Sequence, residues 1–143
     1  MQPEAFFSFA STFVLIGWLL LIVAFRWKHT LTVVRLGVVL LLSLLYAYLI
    51  ITHFGDGEGG FGSLEEVSQL FANPWTLLAG WVHYLAFDLF IGSWEVQNAR
   101  SLGISHWFVI PCLLLTFMFG PVGLLLYFII RAVYTKQLTH ELA

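Results

Sequence analysis

From residue 5 to residue 25 the chain carries no charged side chain, and further long apolar runs follow it almost to the C-terminus. The hydrocarbon core of a bilayer is crossed by roughly 20 mostly apolar residues. No water reaches the backbone there, so each run must satisfy its own amides and carbonyls, as a helix does. The chain is therefore expected to be all-α, a polytopic membrane bundle of about four transmembrane helices over residues 5–25, 33–54, 74–97 and 106–131. Its 143 residues leave little chain over, so one transmembrane domain is expected. A cleavable signal peptide starts with positive charge and ends in small residues, whereas the first run follows Glu4 and closes on Phe25, so a retained helix is expected.

The segments between the runs carry the local signals. Arg26, Trp27 and Lys28 close the first helix as interfacial anchors, and Arg35 is near enough to the start of the second to reach the same interface. Gly55-Asp56-Gly57-Glu58-Gly59-Gly60 reads as a flexible acidic loop. Ser63 and Glu66 have the spacing of a capping box. Leu64, Val67, Leu70 and Phe71 share one face behind it, which predicts a short amphipathic interfacial helix over 63–72. Asn73-Pro74 suits the start of the third long helix, where proline costs no hydrogen bond. Pro121 is expected to kink the fourth. Counting Lys and Arg, the first and third loops should be cytoplasmic, but Arg131 and Lys136 oppose this if four crossings return the tail to the other side.

Only 10% of residues are charged and the net charge is -2 with basic residues scattered, so nucleic acid is excluded as a partner. Cys112, the single cysteine, allows neither an internal disulfide nor a cysteine-based zinc cluster. His29, His53, His106 and His140 fall at helix ends or outside, leaving only His83 inside the membrane, so bis-histidine haem is not expected. Nor is a di-iron site, whose second set of carboxylates is missing. No metal is expected.

The informative residues are His83, Asp88 and Glu95, because an ionisable group within a membrane helix is costly unless paired, hydrated or protonated. At 100° per residue Trp81, Asp88 and Glu95 lie within roughly 40° of one another, with Tyr84 beside them, whereas His83 is turned roughly 140° from Asp88. His83 and Asp88 are thus expected to address different neighbours unless the helix is distorted. Two roles are open to each: proton transfer, or a structural hydrogen bond, His83 to a facing carbonyl and Asp88 as a protonated donor between helices. Glu95 reads as an interfacial carboxylate near Arg100. Trp81, Tyr84, Phe87 and Trp94, with Phe117 and Phe119, could line an apolar small-molecule pocket, or face lipid and neighbouring helices individually.

The run Gly80-Trp81-Val82-His83-Tyr84-Leu85-Ala86-Phe87-Asp88-Leu89-Phe90, with Pro121-Val122-Gly123 after it, resembles the abscisic-acid-deficient family of membrane proteins, also called neoxanthin-synthase-like. The resemblance extends over about residues 73–134, and the first two helices match it in hydropathy. It implies an isomerisation like that of violaxanthin to neoxanthin, in which an epoxide opens and an allene forms without a cofactor. Protonated Asp88 would serve as the acid and His83 as the base, and aromatic faces would shield the cation. Trp81, Tyr84, Phe87, Trp94, Glu95 and Asn98 would hold the substrate; bacterial relatives often carry Asp where Asn98 stands. The implied location is a bacterial inner or a photosynthetic membrane. Two functions follow: an isomerase acting on a carotenoid (xanthophyll) or related isoprenoid lipid, or a non-enzymatic pigment- or lipid-binding accessory subunit, in either case as a possible homo-oligomer or part of a larger membrane complex.

Overall fold

In the structure, a computed structural model, residues 2–55 and 57–136 are described; Asp56 of the acidic loop and His140 lie outside the described residues. All the regular structure there is helical: α1 (Pro3–Val23), α2 (Thr30–His53), α3 (Leu64–Ala72), α4 (Pro74–Ser101), α5 (His106–Phe119) and α6 (Pro121–Thr135). Three of these, α1, α2 and α4, are long and apolar enough to cross a membrane, with 21, 24 and 28 residues. The protein is a membrane protein of the all-helical, polytopic class expected.

α4 is the central helix. Half of its most apolar window is buried, against 28% for α1 and 22% for α2. α1 runs parallel to it, with Phe6 against Trp75 at one end and Trp18 under Gly92 at the other. α2 runs antiparallel, His53 stacking on Trp75 and Arg35 bonding Ser93. The start of α4 is built as its sequence dictates: Asn73 Oδ1 accepts from the amides of Trp75 (2.9 Å) and Thr76 (3.3 Å), and Pro74 occupies the first turn. α3 is capped by Ser63 Oγ, which accepts from Glu66 N, while the Glu66 carboxylate accepts from Gly62 N, one residue before the expected box.

The expected fourth crossing is not one kinked helix. It breaks at Gly120 into α5 and α6, of 14 and 15 residues, which fold back on each other as an antiparallel hairpin. The opposed positions run in step. Gly123 lies on Thr116 and Cys112, while at the open end the Tyr134 hydroxyl donates to Gly103 O. At 1.5 Å per residue each arm reaches only about 21 Å, short of the roughly 30 Å hydrocarbon thickness. The hairpin enters from the end where α4 finishes, turns beside the middle of α4, and returns to that end. Proline at the first position of α6 turns the expected kink into a start.

This return reassigns the charges. Arg26 and Lys28 lie in the α1–α2 connection, Arg35 in the second turn of α2, Arg100 at the end of α4, and Arg131 and Lys136 at or beyond the last turns of α6, so all six Lys and Arg gather toward one end. Glu4, Glu58, Glu65 and Glu66 are toward the other. The opposition between the tail and the other basic residues arose from assuming an even number of crossings, and the hairpin removes it.

Candidate functional site

The hairpin tip is held by two glycines. Gly120, between the arms, has φ 47° and ψ -100°, a conformation open to glycine and strained for other residues. Gly123 is where the arms touch: a Cβ there would meet Thr116 N at 2.1 Å and Cys112 O at 2.5 Å. A chain break inside the bilayer is tolerated where it is buried in protein, and Gly120 is buried. The tip docks on α4 through the Tyr84 hydroxyl, which donates to Phe117 O (3.2 Å), and Phe117 packs edge-on against Trp18 of α1.

Asp88 sits directly beneath this tip. A Cβ on Gly120 would lie 3.0 Å from Asp88 Oδ1 and 3.3 Å from Oδ2. Asp88 Oδ2 is buried and accepts no hydrogen bond. Beyond the tip, toward the acidic end, the hairpin no longer covers α4, and an apolar cleft of about 290 Å³ opens between α1 and α4. Pro3, Glu4 and Phe7 line it from α1, and Pro74, Leu77 and Trp81 from α4. Trp81 forms its inner end: Nε1 donates to Ser11 Oγ (3.0 Å) and the ring packs against Phe7 and Tyr84. Trp81, Tyr84 and Asp88 therefore lead in order from the cleft to the tip. Trp81 is 38% exposed, because no arm of the hairpin reaches it.

Toward the basic end the stripe is sealed between α4 and the hairpin. Glu95 is not an interfacial partner of Arg100 but is wholly buried, with Oε1 accepting from Thr116 Oγ1 (3.0 Å) and Oε2 without a partner. Asn98 Oδ1 accepts from both Tyr127 OH (2.8 Å) and Arg131 Nε (3.1 Å), tying α4 to α6. Trp94 packs on Tyr127 and Phe128. Tyr127 is not singled out from sequence, and Arg131 is read there only as a charge in the tail. The signal was present in their spacing of four, which puts both on one face of an otherwise apolar helix.

His83 belongs elsewhere. Its ring stacks on Phe87 (4.6 Å) and meets Tyr46 of α2 edge-on (5.4 Å), opening to a cavity of about 300 Å³ between α2, α3 and α4. The structure thus brings Asp88 together with Tyr84 and the tip, sends Glu95, Asn98 and Trp94 into the hairpin interface, and leaves His83 and Phe87 on the α2 side. Phe119 is 60% exposed at the tip. Among the described residues no three His, Cys, Asp or Glu side chains converge as metal ligands.

No curated protein and no solved structure is detectably similar to the chain. A family model does match, and it extends through α1 and α2, where hydropathy alone had suggested kinship. Spanning residues 5–127, that match shows that the chain belongs to the ABA DEFICIENT 4-like family of membrane proteins.

Proposed function

We propose that the protein is a membrane-embedded isomerase of the neoxanthin-synthase type, acting on a xanthophyll or related isoprenoid lipid in a bacterial inner or photosynthetic membrane. The observation that carries this reading is the Asp88 carboxyl, held midway along α4 about two helical turns beyond the Trp81 end of an apolar cleft, with one buried oxygen uncommitted. A hydrophobic substrate would enter sideways from the bilayer with its ring end toward Asp88 and its polyene along Trp81 and the cleft.

The reaction needs one proton moved from carbon to oxygen. Asp88 in its acid form gives its proton to the epoxide oxygen as the carbon–oxygen bond breaks. The cation left on the ring carbon faces Trp81 and Tyr84, whose π-faces favour positive charge. Loss of the proton on the neighbouring chain carbon supplies the electron pair of the allene. No atom is gained or lost. Sequence reasoning gives the second transfer to His83, but that ring faces α2, on the other side of the helix. A carboxylate has two oxygens, so we assign both transfers to Asp88, with Oδ2 as the acceptor.

The test is conversion of a supplied epoxy-xanthophyll by the protein in proteoliposomes, followed by chromatography. Asp88→Asn is expected to bind pigment and fail to convert it. Bound pigment with no turnover in the wild type, unchanged in Asp88→Asn, would instead favour the accessory binding subunit.

A further inference from the structure

A second site lies on the opposite face of α4, around Arg35. This residue falls in a π-helical stretch of α2, Val33–Val39, an irregularity that in other proteins often marks functional positions. Its Nε donates to Ser93 Oγ (2.8 Å), and its guanidinium stands 5.5 Å over the Phe90 ring. Among the described residues no carboxylate lies within ion-pair distance of it.

Depth makes this arrangement unusual. α4 spans about 42 Å, so each end overhangs a hydrocarbon core of roughly 30 Å by about 6 Å. Ser93 is buried about 12 Å from the Ser101 end, which places the guanidinium's anchor inside the hydrocarbon edge. Arginine stays charged, and at that depth it calls for a counter-charge. With Nε used by Ser93, its terminal nitrogens keep a pair of donors suited to a phosphate.

An apolar trough starts at the same point. A cavity of about 250 Å³ is lined by Val39 and Ser43 of α2 and Ala86, Phe87 and Phe90 of α4. Phe87 stacks on His83, where the second α2–α4 cavity begins and runs on to Thr76. From Phe90 to Thr76 the α4 wall is about 21 Å long, the reach of one extended long acyl chain.

We propose that this is a binding site for an anionic phospholipid, its phosphate on Arg35 and one acyl chain in the trough. Arg26 and Arg100 at this end favour a lipid of net negative charge over a zwitterionic one. The site is independent of the chemistry assigned to Asp88.

The experiment compares the protein in nanodiscs of phosphatidylcholine alone and with phosphatidylglycerol added, reading thermal unfolding and the lipid retained in native mass spectrometry. Phosphatidylglycerol is expected to raise the unfolding midpoint of the wild type and to remain bound. Arg35→Ala is expected to weaken retention about tenfold, the loss of one charge-assisted pair. Ala86→Phe, which fills the trough without touching Arg35, is expected to displace the lipid as well, and serves if Arg35→Ala does not fold. Lys28→Ala is expected to change little. Equal retention in wild type, Arg35→Ala and Ala86→Phe would overturn the proposal. So would an equal loss in Lys28→Ala, which would mark diffuse surface attraction, or an equal stabilisation by inorganic phosphate.

Discussion

Gly120 lies so close to Asp88 that a single methyl group at position 120 would come within 3.0 Å of Oδ1. The turn of the hairpin and the carboxyl beneath it thus form one unit: the backbone that makes the tip also roofs the acid. Gly120→Ala is expected to cost about 1–3 kcal/mol from the backbone conformation alone and to lower turnover more than it lowers pigment binding. Thermal unfolding beside conversion assays separates the two effects.

Gly123→Ala is expected to be worse for folding. Its Cβ would strike backbone atoms of α5, which cannot rotate away as the Asp88 side chain can. The arms would have to separate, exposing Thr116, Glu95 and the Asn98 cluster. Detergent-solubilised material should run as aggregate or accumulate poorly, and a monodisperse, wild-type profile would refute the close packing of the hairpin.

Asp88→Asn is expected to reduce conversion by at least about 10² to 10⁴, the range for a lost acid–base group, whereas His83→Ala should stay within a few-fold of wild type. A loss of equal size in His83→Ala would return the base to that residue. It would also require the substrate to lie on the α2 side of α4.

Asn98→Leu removes the shared acceptor of Tyr127 and Arg131 and leaves buried donors wanting, at a cost of about 1–3 kcal/mol or more for the charged one. Asn98→Asp keeps the acceptor and gives Arg131 an opposite charge. The leucine variant should therefore unfold at a markedly lower temperature and the aspartate variant close to wild type.

Three crossings plus a returning hairpin put the two ends of the described chain on opposite faces of the membrane. Reporter fusions before Pro3 and after Lys136 should give opposite accessibility, with the Lys136 side cytoplasmic or its organellar equivalent. Identical accessibility at both ends would restore a fourth crossing.

Much of this was legible in the sequence because the signals were local. Asn73-Pro74, Ser63 with Glu66, and the uncharged run before Arg26 each act through neighbouring residues, and each ended up near its expected place. The 140° between His83 and Asp88 survives because α4 is a regular helix across both. The hairpin was hidden for the opposite reason. A run from 106 to 131 has the hydropathy of a spanning helix, and nothing local distinguishes a proline that kinks from one that opens a new helix. That depends on Gly120 adopting a positive φ and on Gly123 meeting Thr116 across the turn. Glu95 and Arg131 were misread with it, since both owe their burial to the returning arm.

The returning hairpin also bears on how the chain is made. With α5 and α6 entering and leaving by the same face, the segment between α2 and α4 is the single connection that must be carried across the bilayer during synthesis. It holds no lysine or arginine to resist that passage. The α5–α6 hairpin can wait on the side where it was translated and press into the finished α1–α2–α4 core afterwards. The roof over Asp88 would then be the last part of the molecule to form, and the carboxyl would stay open to lipid until it does.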